Sequence, residues 1–314
     1  MTDSSLAFVF PGQGSQSVGM LAELAARQPE VRAAFDEASQ GCGADLWELS
    51  QDGPEERLNR TEFTQPALLA AGIAVWRAWQ ARGGAMPVLL SGHSLGEYTA
   101  LVAAGALSLA DGARLVRRRG QLMQSAVAEG QGAMAAVLGA EDSVVEAVCA
   151  EAAEGQVLSA ANYNSPGQVV IAGDAAAVDR ALAALAARGV RKAVKLAVSV
   201  PSHTGLMREA ADALAVEMDA IAWTAPTIPV VQNVDASVHG DVAGIRAALV
   251  AQLHQPVRWT ACVQALAAQG ATRVYECGPG KVLAGLVKRI DKSLEARALG
   301  TSAELDAALS HGKE

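Results

Sequence analysis

Gly92-His93-Ser94-Leu95-Gly96 follows a short apolar run, Pro87 to Leu90, and precedes the helix-prone stretch Glu97 to Ala104. The pentapeptide fits G-x-S-x-G, in which a sharp turn between a strand and a helix exposes a serine Oγ at the edge of an α/β sheet. Glycines suit this turn, because a Cβ on either flank would collide with the neighbouring strand or helix. So short a pattern also arises by chance, and the alternative is a strand-to-helix turn without chemistry. The strand before it and the helix after it favour a catalytic Ser94.

The segments around this turn alternate between strands and long helices. Leu6 to Phe10 is an apolar strand that ends at the glycine-rich loop Pro11-Gly12-Gln13-Gly14. Further strands are predicted at Pro229 to Asn233 and Thr272 to Glu276. Helices are predicted at Gln65 to Arg82, Leu109 to Val127 (with Ser108 as N-cap), Thr204 to Ala220, Gly240 to Leu253, Trp259 to Gln269 and Lys281 to Ile290. This alternation predicts an α/β fold with a mostly parallel sheet covered by helices.

The pattern changes at Glu129-Gly130-Gln131-Gly132, which has the composition of a linker. Beyond it the predicted elements are strand 133–138, helix 141–153, strand 157–162, strand 168–172, helix 175–188 and strand 191–198. This βαββαβ order is typical of a ferredoxin-like unit. We therefore predict a large domain from residues 1–129 and 199–314, with a small ferredoxin-like domain, residues 130–198, inserted into it.

The composition narrows the class of protein. The 314 residues carry a net charge of −8 without a long basic run, which argues against nucleic acid as a partner. No apolar run is long enough to span a membrane, and Met1 to Ser5 lacks the basic residues of a signal peptide. The four cysteines form no Cys-x-x-Cys pair, so free thiols in a cytoplasmic protein are expected. No metal-binding motif is present, and we expect no metal or other cofactor.

A serine hydroxyl is a weak nucleophile near neutral pH and needs a base within hydrogen-bond reach. Among the five histidines, His93 adjoins the serine, but an elbow turns the neighbouring side chain away from the nucleophile. His203 follows Val200-Pro201-Ser202, where the predicted insertion returns to the large domain. Pockets form at such domain junctions, so His203 is the best candidate base, although a lone histidine is more often structural.

Four motifs occur in one order along the chain: Phe10 to Gln16 (FPGQGSQ), Gly92 to Tyr98 (GHSLGEY), Val200 to His203 (VPSH) and Glu276 to Lys281 (ECGPGK). Together they resemble the malonyl-CoA:acyl carrier protein transacylases of bacterial type II fatty acid synthesis. The chain is also similar, less closely, to the acyltransferase domains of polyketide synthases. The resemblance covers essentially the whole chain. It implies an α/β-hydrolase-like large domain with a ferredoxin-like insertion, which agrees with the element order.

The resemblance also implies roles for single residues. Ser94 matches the nucleophile, His203 the general base and acid, and Gln252 a glutamine whose backbone carbonyl orients the histidine. A carbonyl in this place would explain why no acid stands out between the elbow and His203. Gln13 matches an oxyanion-hole residue that acts with the backbone N–H of Leu95, the residue after the nucleophile.

Arg119 matches the family arginine that pairs with the free carboxylate of a malonyl group, and Asn162 matches a small-domain asparagine near the pocket. The implied reaction is ping-pong transfer of malonyl from malonyl-CoA to the phosphopantetheine thiol of acyl carrier protein, for fatty acid biosynthesis. Carrier proteins of this pathway are acidic, so docking needs a local positive patch. Two basic clusters are candidates: Lys281, Lys288 and Arg289, or Arg191, Lys192 and Lys195. We expect a monomer.

Two other functions stay open at this point. A serine esterase or thioesterase on the same frame would hydrolyse neutral acyl esters and would have no need of Arg119. A binding or scaffold protein with a degenerate site would form no acyl-serine.

Overall fold

The fold is described from a computed structural model that covers residues 2–198 and 200–311. In chain order its elements are β1 (Thr2–Phe10), α1 (Ala22–Ala25), α2 (Pro29–Cys42), α3 (Leu46–Asp52), α4 (Glu55–Leu58), α5 (Thr61–Ala81), β2 (Met86–Gly92), α6 (Leu95–Ala103), α7 (Leu109–Ser125), β3 (Gly132–Leu138), α8 (Asp142–Ala153), β4 (Leu158–Ser165), β5 (Gln168–Asp174), α9 (Ala175–Ala187), β6 (Lys192–Lys195), α10 (Arg208–Asp219), β7 (Val230–Val231), α11 (Val242–His254), α12 (Trp259–Ala268), β8 (Arg273–Glu276), α13 (Val282–Ile290), β9 (Glu295–Ala298) and α14 (Ser302–His311). A short 3₁₀ turn, Gly205–Met207, precedes α10.

Five strands form the first sheet, in the order β7-β2-β1-β8-β9, and every pairing is parallel. β1 lies at the centre, and its apolar end, residues 6–10, is at most 1% exposed. A strand enclosed on both faces reads as a continuous apolar run, which is why Leu6 to Phe10 could be recognised. The predicted mostly parallel sheet is confirmed.

Helices α2, α5 and α7 pack closely against one another beside this sheet. Small residues allow the approach: a Cβ added at Gly41 would lie 2.3 Å from the Ala110 oxygen, and one at Gly120 would lie 2.6 Å from the Thr61 oxygen. The chain therefore builds a dense core although aromatic residues make up only 4% of it.

The second sheet has the order β4-β5-β3-β6, with antiparallel pairing throughout. Helices α8 and α9 pack on it, and their buried faces form a separate apolar cluster with its strands. The expected ferredoxin-like βαββαβ order is thus confirmed. All four strands lie inside the range expected for the inserted domain, and the domain bounds themselves stay a prediction.

Backbone hydrogen bonds join the second sheet to the rest of the protein. Tyr163 N donates to Val257 O at 2.9 Å, and Val257 N donates to Ala161 O at 2.9 Å. The β4 edge is therefore continued by the segment between α11 and α12.

Several elements differ from the prediction. The sequence analysis assigned nothing between Gly14 and Gln65, where four helices, α1 to α4, lie. The last strand of the second sheet, β6, is shorter than the predicted 191–198. β9 and α14 were not predicted. The Ser108 cap is confirmed, because its Oγ accepts a hydrogen bond from Asp111 N at 3.0 Å.

The structure also bears on the composition-based predictions. All four cysteines are buried and free, as expected. Across residues 2–198 and 200–311, the helices are all too short or too polar to cross a membrane.

Candidate active site

The elbow between β2 and α6 holds Ser94 in an unusual backbone conformation, with φ 52° and ψ −103°. A Cβ added at Gly96 would lie 2.0 Å from the Phe10 oxygen, and one at Gly92 would lie 2.0 Å from the Gly96 carbonyl. Neither flank therefore has room for a side chain. The turn needs both glycines, and it places Ser94 at the carboxyl end of β2.

Ser94 Oγ lies 2.8 Å from His203 Nε2, and His203 Nδ1 lies 2.7 Å from the backbone oxygen of Gln252. A carbonyl oxygen can only accept, so Nδ1 carries the ring proton and Nε2 is free to accept from the serine hydroxyl. Burial, reinforced by the positive charge of Arg119, lowers the pKa of His203 to about 3. The imidazole is therefore neutral at physiological pH, the state that a general base requires.

Arg119 lies on α7 and is 1% exposed. Its Nη1 donates to Gln65 Oε1 at 2.8 Å, and its Nη2 donates to Gln252 Oε1 at 3.0 Å and to Ser94 Oγ at 3.2 Å. Its Nε is buried and has no hydrogen-bond partner within the described part of the chain. Its neighbour Arg118 is exposed and pairs with Glu217 at 2.8 Å. Of these two adjacent arginines, Arg119 is buried beside the serine and Arg118 faces solvent.

A cavity of about 230 Å3 opens over Ser94. Six of the seven predicted site residues line it, namely Gln13, Ser94, Leu95, Arg119, Asn162 and His203. Gln252 lies behind the wall and is fully buried. The opposite wall comes from the second sheet and the segment after it, with Met134, Val170, Leu196 and Val198 among its residues. The structure therefore brings the predicted residues together at a cleft between the two sheets.

The loop after β1 lies against the elbow. His93 N donates to Phe10 O at 3.0 Å, and a Cβ added at Gly12 would lie 2.5 Å from the His93 oxygen. Gln13, the next residue, is exposed and faces the cavity. The backbone N–H groups of Gln13 and Leu95 donate to no atom of residues 2–198 or 200–311. Two residues that line the cavity thus have backbone N–H groups without an acceptor in the described ranges.

His93 turns its imidazole away from Ser94, as expected for an elbow. Its Nε2 lies 2.8 Å from Asn164 Oδ1. It still lines the cavity, which sequence reasoning did not foresee. The His93–Asn164 contact connects the elbow to the second sheet.

The chain is similar to known acyltransferases in both sequence and structure. The family model described as the acyl transferase domain matches residues 7–305. A malonyl CoA-acyl carrier protein transacylase of Salmonella typhimurium is 58% identical over 98% of this chain and 99% of the relative. A malonyl-CoA:acyl carrier protein transacylase structure from Xanthomonas oryzae pv. oryzae is 71% identical, with a TM-score of 0.98 over 99% of both chains.

The chain belongs to the malonyl CoA-acyl carrier protein transacylase family. Members of this family are acyltransferases, and so is this protein. One further solved structure of this kind is a malonyl-transacylase in complex with its type II PKS acyl-carrier protein. It is 52% identical to this chain, with a TM-score of 0.96 over 98% of this chain and 99% of that chain.

Sequence reasoning missed a layer of polar residues beneath the transacylase elbow. Asn233 Oδ1 accepts from Ser94 N at 2.7 Å, and Asn233 Nδ2 donates to Gly92 O at 2.7 Å. Asn233 thus holds both sides of the turn from the end of β7. A polar residue at the carboxyl end of a parallel strand was the available signal, because such ends meet at one edge of the sheet.

Glu97 is the second missed residue. It is fully buried, and burial raises its pKa to about 7. Its position in the quoted motif GHSLGEY was visible, but its partners lie more than 130 residues away along the chain.

The described ranges of this transacylase contain no group of three or more His, Cys, Asp or Glu side chains that could hold a metal ion.

Proposed function

We propose that the protein transfers a malonyl group from malonyl-CoA to the phosphopantetheine thiol of acyl carrier protein, through a malonyl-Ser94 intermediate, and so supplies extender units for fatty acid biosynthesis. One observation carries the proposal. The Ser94–His203 pair and the buried guanidinium of Arg119 face one cavity, and Arg119 Nη2 reaches within 3.2 Å of the nucleophilic oxygen.

In the first half-reaction, His203 Nε2 takes the hydroxyl proton as Ser94 Oγ attacks the thioester carbon. The carbonyl oxygen becomes an oxyanion, which Gln13 and the backbone N–H of Leu95 stabilise. The C–S bond then breaks, and the imidazolium returns its proton to the sulfur of CoA. The Gln252 carbonyl holds His203 in the correct tautomer during both proton transfers.

Arg119 supplies selectivity for a carboxylated acyl group. A malonyl carboxylate entering a closed cavity loses its hydration, which is costly unless a cation compensates. A guanidinium can bind a carboxylate through two parallel hydrogen bonds, which lysine cannot do. We place Asn162, which is 6% exposed and lines the same cavity, beside the acyl group.

The second half-reaction repeats the first in reverse. The phosphopantetheine thiol gives its proton to His203 and attacks the acyl-serine carbonyl, which releases Ser94. Both thioesters have similar energies, so the transfer is reversible. The steps use only protein groups and the two thiols, and we propose no cofactor.

The acidic carrier protein needs a positive surface near the cavity. Lys281, Lys288 and Arg289 are exposed and form no ion pair within the described ranges. In the alternative cluster, Arg191, Lys192 and Lys195 are exposed, and Lys195 pairs with Asp179 at 2.8 Å. We propose that one of these two clusters receives the carrier protein. Reversing the charges of each cluster in turn identifies which one.

The proposal includes the division of labour between domains. Residues 1–129 and 199–314 supply the nucleophile, base and arginine, and the inserted domain, residues 130–198, closes the cavity from the other side. We propose that the chain acts as a monomer in the cytoplasm.

Mass spectrometry of the protein mixed with malonyl-CoA tests the proposal. We expect a malonyl adduct on Ser94 that disappears when phosphopantetheinylated acyl carrier protein is added, with malonyl appearing on the carrier. The Ser94→Ala variant is the control and should stay unmodified. Absence of the adduct in the wild-type protein would refute the proposed function, and release of malonate to water instead of transfer would support a thioesterase.

A further inference from the structure

A buried carboxyl group lies directly behind the site and has no part in the proposed mechanism. Glu97 is fully buried, and its three hydrogen-bond partners are all donors. Asn233 N donates to Oε2 at 2.8 Å, Gln252 Nε2 donates to Oε2 at 3.1 Å, and Gln232 Nε2 donates to Oε1 at 3.3 Å. Such a set of donors fits an acceptor on both oxygens.

One of these donors continues into the cavity wall. The Gln252 side chain donates from Nε2 to Glu97 and to the backbone oxygen of Ser94 at 2.9 Å, while its Oε1 accepts from Arg119 Nη2 at 3.0 Å. The two ends of one amide thus face an acid and a guanidinium. A flipped amide would set its NH2 group against the guanidinium donors and its oxygen against the Glu97 carboxyl and the Ser94 carbonyl, so Glu97 is one of the acceptors that fix which way the amide faces.

This orientation matters because Arg119 is buried without a carboxylate of the described ranges in direct contact with it. Within residues 2–198 and 200–311, no carboxylate oxygen lies within 4 Å of its guanidinium, which is held by the side-chain oxygens of Gln65 and Gln252. An acid in direct contact would neutralise the arginine and occupy the place of the substrate. An acid placed one amide away holds the arginine and leaves it free to bind an anion.

We propose that Glu97 and the side-chain amide of Gln252 form a positioning pair that holds the Arg119 guanidinium for an acyl carboxylate, and so sets the preference for malonyl over uncharged acyl groups. The pair acts through Arg119, separately from the Gln252 backbone carbonyl that contacts His203. The inference rests on the proposed function and names residues that determine its specificity.

The test compares acyl-Ser94 formation from malonyl-CoA and from acetyl-CoA, as the ratio of the two kcat/KM values. Methionine matches glutamine and glutamate in length, and it leaves the backbone carbonyl in place. We expect Gln252→Met to lower the malonyl-to-acetyl ratio about tenfold or more, because Arg119 loses one of its two glutamine acceptors. Glu97→Met should lower the ratio in the same direction, because the NH2 group of the amide loses its carboxyl acceptor.

Two variants separate positioning from general damage to the fold. Glu97→Gln keeps an acceptor oxygen for Asn233 N and Gln252 Nε2, so it should restore the ratio to within about threefold of wild type. Gln232→Met is the matched control. It is an equally buried glutamine that contacts Glu97 but neither Arg119 nor Ser94, and it should leave the ratio unchanged.

The double variant Glu97→Met/Gln252→Met tests the connection itself. If Glu97 acts through the amide, the double variant lowers the ratio no further than Gln252→Met alone. Multiplied effects, an unchanged ratio in Gln252→Met, or an equal loss with both thioesters would each overturn the inference. If Gln252→Met fails a thermal-melting check, the comparison of Glu97→Met with Glu97→Gln decides. A wild-type protein that does not prefer malonyl would instead contradict the proposed function.

Discussion

Arg119 Nη2 lies 3.2 Å from Ser94 Oγ, close enough to donate a hydrogen bond to the nucleophile. In a malonyl group on that oxygen, a single methylene separates the acyl carbonyl from the carboxylate, which would lie within reach of the same guanidinium. Under the proposed function, Arg119 therefore contacts the acyl group close to the serine oxygen that carries it. The proposed function thus uses an arginine for which a hydrolase of neutral esters has no need.

Arg119→Ala should remove the preference for malonyl. We expect kcat/KM for malonyl-CoA to fall about 100-fold, which corresponds to the loss of one or two charge-assisted hydrogen bonds, with a smaller fall for acetyl-CoA. Steady-state kinetics with both thioesters measures the difference. Arg118→Ala is the matched control, because Arg118 is one residue away on the same helix but exposed and paired with Glu217. An equal loss with both substrates would show that Arg119 serves the fold instead of selectivity.

The low pKa of His203 makes stability depend on pH. Its ordinary value of 6.5 falls to about 3 in the folded protein, chiefly through burial. Stability from this group is therefore complete above pH 6.5 and is lost as the pH falls towards 3. Between pH 7 and pH 5 the loss is about 2 kcal/mol. Urea unfolding of wild type and His203→Asn at both pH values isolates it, since other buried groups act on both proteins. A parallel decline in the two proteins would contradict the shift.

Gly96→Ala should distort the elbow. The new Cβ would meet the Phe10 oxygen at 2.0 Å, so we expect a loss of roughly 1–3 kcal/mol together with loss of Ser94 acylation. Gly285→Ala on α13 is the control, because nothing lies within 4 Å of its Cβ position and alanine favours a helix interior. Thermal unfolding and malonyl loading check both variants. Wild-type loading by Gly96→Ala would mean that the elbow tolerates a side chain.

Charge reversal should identify the surface that receives the carrier protein. The test uses two double variants, Lys281→Glu/Lys288→Glu and Lys192→Glu/Lys195→Glu. For each, the KM for acyl carrier protein is measured at low and at moderate salt. The cluster that docks the carrier should show a KM raised about threefold to tenfold at low salt, with a smaller effect at higher salt. Arg32→Glu on α2 is the control, since Arg32 belongs to neither cluster. Unchanged KM values for both pairs would exclude both clusters.

The elbow was predicted from local signals, whereas its partners in the site were not. The elbow depends on glycines within five residues, and their steric demand is visible in the sequence. The pairing of Ser94 with His203, 109 residues apart, was predicted from the place of His203 where the insertion returns to the large domain, and the resemblance carried by four motifs supported it. Arg119, which lies outside these motifs, was singled out among three consecutive arginines only by the resemblance to the family.

What was missed has two physical causes. Asn233 ends the predicted strand Pro229 to Asn233, but its partner Ser94 lies 139 positions away, and no local pattern shows that contact. β9 buries only alternate residues, so it lacks the continuous apolar run of β1. By contrast, α2 shows the expected spacing, with buried Val31, Ala34, Phe35, Ala38 and Cys42, and it could have been predicted.

The bonding of β4 to Val257 has a consequence for how the cleft works. Two main-chain hydrogen bonds fasten the walls together, so the second sheet cannot swing open like a lid without breaking them. The distance between the two walls is therefore fixed for as long as these two hydrogen bonds hold. An acyl group must then fit a cavity whose walls keep their spacing. Under the proposed function, its length is selected by the fixed positions of Ser94 Oγ and the Arg119 guanidinium.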